Sequence, residues 1–247
     1  MLAAISFAGR RWGPGVAGWL AGFPSLTGPI LFFLAVERGA EFTVQAATLS
    51  LSSVLPAICF GVTYARACTR MHWAGSAACA LAAWFAAAGL LSTLPLTVPA
   101  SLAISFAALL AAPRLFPRAK GGWRANALPA HELVLRMVAG AGMVLGVTAA
   151  AEGLGATWTG LFSAFPVMSM VLAVFSHRAS GAGFASTLLR SMVPGFYSYL
   201  TYCLVLALAL PGAGTAMAAS FAVAAAVAVQ GVARAVVLRF GSKEAGR

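Results

Sequence analysis

Few side chains in this sequence can do chemistry, and the most informative of them stand beside prolines. Ser25 and Thr27 follow Phe23-Pro24, and Ser163 and Ser169 flank Phe165-Pro166. A proline within a helix removes one i→i−4 hydrogen bond and pushes on the preceding turn, so each Phe-Pro pair predicts a kink or break. A break frees backbone groups that protein, water or solute must satisfy. Hydroxyls next to it can hold a ligand, or can bond back to their own helix. Arg190 lies between Leu189 and Ser191 in an apolar run. There an arginine either grips an anionic group between helices or snorkels to the interface. Ser53 and Pro56 in one run, and Ser191, Pro194, Tyr197 and Tyr202 in another, complete the candidate solute-binding residues. Tyr64 and Tyr199 are phenols of the same kind, which pack in the core or line a polar path.

Reactive constellations are missing from the sequence. His72, His131 and His177 stand far apart, and no H-E-x-x-H, C-x-x-C or phosphate-loop pattern occurs. Neither a catalytic role, a cofactor nor a metal is expected. Cys59, Cys68, Cys79 and Cys203 read as packing thiols.

The candidate residues fall into two sets with constant spacing. Gly13 and Gly155, Gly18 and Gly160, Pro24 and Pro166, and Thr27 and Ser169 all stand 142 residues apart. Ser53, Pro56 and Tyr64 reappear as Ser191, Pro194 and Tyr202 at a spacing of 138, so four residues are missing from the second copy. The expectation is a deletion in a polar connection, since loops tolerate such changes. Arg190 has Ser52 as its counterpart, which breaks the symmetry there. Two copies of one unit, each interrupted by Gly and Pro, are the strongest sequence pointer to a solute site between membrane repeats.

The elements that position these residues are membrane helices. The chain is 61% hydrophobic and 9% charged over 247 residues, against about 25% charged in soluble domains. Runs rich in Ala and Gly without dyad alternation favour helices over a barrel. Gly18-x-x-x-Gly22 and Gly142-x-x-x-Gly146 are small-residue spacings that suit close helix crossings. Apolar runs fall near 1–9, 14–36, 43–65, 73–92, 99–112, 133–152, 154–176, 184–210 and 213–238. The first is too short to span roughly 30 Å of hydrocarbon, so the first repeat is expected to begin part-way into its first helix. If all nine runs cross, fifteen of the sixteen Lys and Arg share one side, with Arg38 alone opposite. That bias makes the basic side, including the C-terminus, cytoplasmic. Glu37, Glu41 and Glu152 fall at the other ends, where a wetted interface or a proton-carrying role are both open. The net charge of +11 is then explained by topology and by the anionic leaflet, not by nucleic acid.

The expected fold is an all-α polytopic membrane protein with about nine transmembrane segments. Residues 1–92 form repeat 1, 93–132 the linking helix and basic cytoplasmic loop, and 133–247 repeat 2. An odd linking span inverts one four-helix repeat relative to the other.

Thr159-Gly-Leu-Phe-Ser-Ala-Phe-Pro166, followed by Leu188-Leu-Arg190-Ser-Met-Val-Pro194-Gly-Phe-Tyr197, resembles the GlpM-like small bacterial inner-membrane proteins over about 135–232, and more loosely over 13–92. That resemblance implies an inner-membrane location and, for some members, a link to exopolysaccharide production. The doubled, inverted unit also looks like the drug/metabolite-transporter architecture, which is analogy and not motif. The favoured expectation is a secondary transporter or exporter of a small or amphiphilic, anionic-leaning solute. The alternative is a non-transporting inner-membrane protein that assists envelope or exopolysaccharide assembly. Expected partners are the lipid bilayer, a small-molecule solute and, as a candidate, a second copy in a homodimer. A polar cavity between the runs at 14–36, 43–65, 154–176 and 184–210 would favour transport over the alternative.

Overall fold

The computed structural model describes residues 2–117, 130–151 and 165–244. They form helices throughout, with no strand among the described residues. In chain order these are α1 (Leu2–Trp12), α2 (Pro14–Ala21), α3 (Thr27–Glu37), α4 (Ala40–Ser52), α5 (Val54–Ala67), α6 (Trp73–Ser92) and α7 (Val98–Leu115). After them come α8 (Ala130–Ala151), α9 (Val167–Ala213) and α10 (Thr215–Glu244). Five helices are long and apolar enough to cross a membrane: α4 and α5 taken together, α6, α7, α9, and Thr215–Ala235 within α10. The α3 helix is apolar but shorter.

Helix boundaries follow from glycine and proline. Four glycines have positive φ, and each joins two helical stretches: Gly13, Gly39, Gly181 and Gly214. Gly39 (φ 85°, ψ 175°) and Gly181 (φ 83°, ψ 174°) adopt nearly the same conformation, a region of the map open in practice to glycine alone. Gly181 divides the long α9 into an arm before it and an arm after it. Pro56 sits in the first turn of α5, where no amide donor is needed, and Ser53 joins α4 to α5 without breaking the chain direction. Pro194 lies inside the second arm of α9, which stays helical through it.

The α9 helix is the hub. It packs against α2, α4, α5, α7, α8 and α10. Its crossing with α2 is very close because glycines meet there. A Cβ built on Gly18 would lie 2.0 Å from Ser191 Oγ and 2.2 Å from the Leu188 carbonyl oxygen. One built on Gly22 would lie 2.7 Å from Gly195 Cα. Ser191 Oγ seals the crossing by donating to the Pro14 carbonyl at 2.9 Å. Gly142 and Gly146 have open space around them, so that second glycine pair makes no close crossing.

Several arginines gather at one end of the bundle. Arg66 donates to the Leu115 carbonyl at 2.9 Å, joining the C-terminal ends of α5 and α7. Arg178 stacks 5.5 Å over Trp73 at the start of α6. Arg136 reaches Ser6 of α1 and lies 5.4 Å over Phe175.

Candidate functional site

The two Phe-Pro breaks are built alike. At the first, the Ser25 amide donates to the Phe23 carbonyl at 2.7 Å and the Gly28 amide to the Pro24 carbonyl at 2.8 Å. At the second, the Val167 amide donates to the Phe165 carbonyl at 2.7 Å and the Met170 amide to the Pro166 carbonyl at 2.7 Å. The short i→i+2 bond is a γ-turn around the proline, and Pro166 (φ −77°, ψ 46°) lies near the inverse γ geometry. In each case a helix starts directly after the turn, α3 at Thr27 and α9 at Val167. Neither start carries a side-chain cap. First-turn amides such as those of Thr27, Met168 and Ser169 cannot be reached by an intrahelical carbonyl.

Both breaks line one cavity of about 70 Å³. Around it stand Phe23, Pro24, Ser25 and Thr27 from the first break, and Phe165, Pro166, Met168 and Ser169 from the second. The α4–α5 joint adds Ser53, Val54 and Ala57, and the second arm of α9 adds Phe196 and Tyr199. The space suits several waters or a small solute. Tyr199 is its most connected polar group. Its hydroxyl lies 3.1 Å from Ser53 Oγ and 3.3 Å from the Ser50 carbonyl. Ser53 donates to that same carbonyl at 2.5 Å, which leaves its oxygen to accept from Tyr199. Ser169 Oγ turns toward Met192 Sδ at 3.4 Å. Two uncapped helix starts give the cavity a positive lean, since each helix N-terminus carries a partial positive charge. The Phe165 ring is fixed from behind by Trp84, with ring centroids 5.0 Å apart.

The Phe23–Ser25 turn has a second side. Outside it runs an apolar groove of about 420 Å³, bounded by Gly28, Phe32, Tyr202, Ala219 and Val223. The turn is therefore the partition between the inner cavity and a groove facing the lipid.

Of the residues singled out from the sequence, Phe23, Pro24, Ser25, Thr27, Ser53, Phe165, Pro166 and Ser169 come together here. Ser163 lies outside the described residues, as do Gly155, Gly160 and Glu152. Pro56 is buried in α5 next to the cavity wall but does not line it. Ser191 and Pro194 belong to the stretch of α9 beside α2, and Ser191 is consumed by the glycine crossing. Tyr202 donates to the Gly28 carbonyl at 3.1 Å and faces the outer groove. Tyr197 packs edge-on against Phe106 in a groove between α7 and α9. Arg190 is exposed on the outer surface of α9, away from the cavity.

Two polar residues carry more than their sequence context announces. Tyr199 holds the cavity's central hydroxyl; it is one of three tyrosines within six positions of one helix, and only helix rotation separates their roles. Gln230 is a lone amide in the apolar run of α10 and is buried. It donates to the Trp19 carbonyl at 2.7 Å and shares a 2.5 Å hydrogen bond with Ser198 Oγ. Trp19 Nε1 donates back to the Gln230 carbonyl at 3.2 Å. The lone intramembrane amide was the available signal, because a buried amide must find partners.

Searches of protein-family models, of curated proteins and of solved structures return no match for this chain.

Proposed function

We propose that the chain is a secondary transporter or exporter that moves a small or amphiphilic solute through the cavity between the two Phe-Pro breaks. One observation carries this reading: two breaks, 142 residues apart, share a hydrogen-bond pattern and face one another across one cavity. The cavity has the uncapped helix starts and hydroxyls that discontinuous helices offer to solutes in transporters. Its positive lean suits an anionic or electronegative group, and the thin Phe23–Ser25 partition suits a solute that is partly lipid-soluble.

The inverted-repeat organisation belongs to the same proposal. In it, α2 and α3 are one interrupted crossing, and α9 supplies two that meet at Gly181. Gly39 and Gly181 support the pairing, since they keep the spacing of 142 residues and the same backbone angles. The four-residue shortening then falls in the helix after Gly181, about one turn, and not in a polar connection. Tyr64 and Tyr202 support it as well: each reaches the interrupted element of the opposite half, Tyr64 at His177 Nδ1 (3.4 Å) and Tyr202 at the Gly28 carbonyl (3.1 Å). The gathering of Arg66, Arg136 and Arg178 at one end supports a cytoplasmic assignment for that end. Kinship with GlpM-like proteins is likewise a proposal, and it supplies a location but no solute.

The test is a solute-sensitivity and uptake screen of a deletion strain, complemented with the wild type or with Tyr199→Phe. A solute phenotype restored by the wild type and not by Tyr199→Phe supports the proposal. A complete screen in which no solute distinguishes the strains removes it.

A further inference from the structure

At the arginine-rich end, away from the cavity between the breaks, α1, α8 and α9 enclose a second space. Arg136 of α8 is its main polar feature, and the residue is only 2% exposed. Nη2 lies 3.2 Å from Glu132 Oε1, and Nη1 donates to Ser6 Oγ at 3.2 Å. The plane rests over Phe175 at 5.4 Å. Nε is buried with no hydrogen-bond partner. A small cavity of about 20 Å³ adjoins this guanidinium, with Ser6, Ser176, Ser180 and the exposed Arg10 among its lining residues. That is space for one oxygen-sized body.

The charge balance points to an anion. Arg10 and Arg136 face a single carboxylate, Glu132, and Arg178 adds a third guanidinium 6.0 Å from the Phe175 ring. An unpaired donor on a buried cation costs about as much as a lost charge-assisted hydrogen bond, so a ligand that meets it gains that amount back. The donors come from several directions: Nε of Arg136, the Arg10 guanidinium and three hydroxyls. A planar carboxylate has two oxygens to offer them, whereas a tetrahedral phosphate has more and matches the guanidinium fork equally well. We propose that this space is a phosphate-group site, in which one phosphate oxygen enters beside Arg136 and the remainder is held at the mouth by Arg10. A phospholipid headgroup and a free phosphate share that chemistry, and basic pockets between helices on the cytoplasmic side commonly take anionic headgroups.

The full-length protein is reconstituted in phosphatidylcholine nanodiscs, and its melting temperature is followed in three series. One adds phosphatidylglycerol, one adds inorganic phosphate and one adds neither; a ligand that binds only the folded state raises the melting point. The expected result is a saturable rise with phosphatidylglycerol, weakened about tenfold or more in apparent affinity by Arg10→Gln and by Arg136→Met. Glu132→Gln removes the internal competitor and is expected to tighten binding, an effect that a merely structural arginine does not produce. If Arg136→Met does not fold, Arg10→Gln at the exposed rim and Glu132→Gln carry the test. A rise with inorganic phosphate as well assigns the site to phosphate groups in general; a rise with the lipid alone assigns it to headgroups. No rise with either, or an undiminished rise in Arg10→Gln, overturns the proposal.

Discussion

The hydroxyl of Tyr199 stands 3.1 Å from Ser53 Oγ, and this contact ties the second arm of α9 to the joint between α4 and α5 at the cavity wall. Ser53 keeps the Ser50 carbonyl as a partner whatever Tyr199 does. Tyr199→Phe therefore removes one hydrogen bond without stranding Ser53, and the expected loss of stability is about 1 kcal/mol. Solute movement is expected to fall much further than stability. Thermal melts in detergent and solute flux measured on the same preparations check both halves of that expectation.

Gly18 and Gly142 make a controlled pair. A Cβ on Gly18 runs into the Leu188 carbonyl, which is backbone and cannot turn aside, whereas Gly142 has nothing within 4 Å. Gly18→Ala is expected to destabilise by about 1–3 kcal/mol or to spread α2 from α9. Gly142→Ala is expected to be neutral or stabilising by up to about 1 kcal/mol through helix propensity. Equal melting temperatures for the two variants would contradict the close crossing.

Gln230 tests how α10 is attached. Gln230→Leu removes the donor to the Trp19 carbonyl and the partner of Ser198. A loss of about 1–3 kcal/mol is expected, because groups left buried and unsatisfied carry their full desolvation cost. Gln230→Asn, one methylene shorter, is expected to recover little, and limited proteolysis at the start of α10 checks whether the helix has loosened.

Cys68 reports on packing at the arginine-rich end. Burial pushes its thiol up to about 11, outweighing the lowering effect of its backbone hydrogen bond. At neutral pH the group is then almost wholly the unreactive thiol. Alkylation by a maleimide is expected to be slow in the folded protein, to quicken as pH rises toward 11, and to become fast after denaturation. Mass spectrometry of peptides labelled at two pH values reads this directly.

The breaks were legible in the sequence because proline acts locally: Pro24 and Pro166 interrupt helices whatever surrounds them, and their spacing announced the pair. The close approach of Gly18 was legible in kind, yet Gly142-x-x-x-Gly146 carries the same spacing and opens onto space. What the sequence withheld was helix rotation. Around residues 197–202 the helix is apolar on most faces, as a buried membrane helix is, so no hydrophobic stripe tells which face turns inward. Tyr197 and Tyr199 stand roughly 200° apart on such a helix, and the cavity received Tyr199 while Tyr197 met Phe106. Arg190 failed to reach the cavity for the same reason: its depth could be read from the sequence, but its azimuth could not. Gly39 and Gly181 were overlooked because glycine is common in this chain, and only backbone angles set these two apart.

The central claim is that the cavity between the two breaks opens in turn to the two sides of the membrane. Single cysteines at Ser25 and Ser169, in a background without native cysteines, can be labelled with a membrane-impermeant maleimide in right-side-out and in inverted vesicles. The account predicts that each position is labelled from both sides, and that blocking movement with a cross-link across the Gly22–Gly195 contact leaves labelling from one side alone. Labelling from neither side, or from the same single side with and without the cross-link, would contradict it.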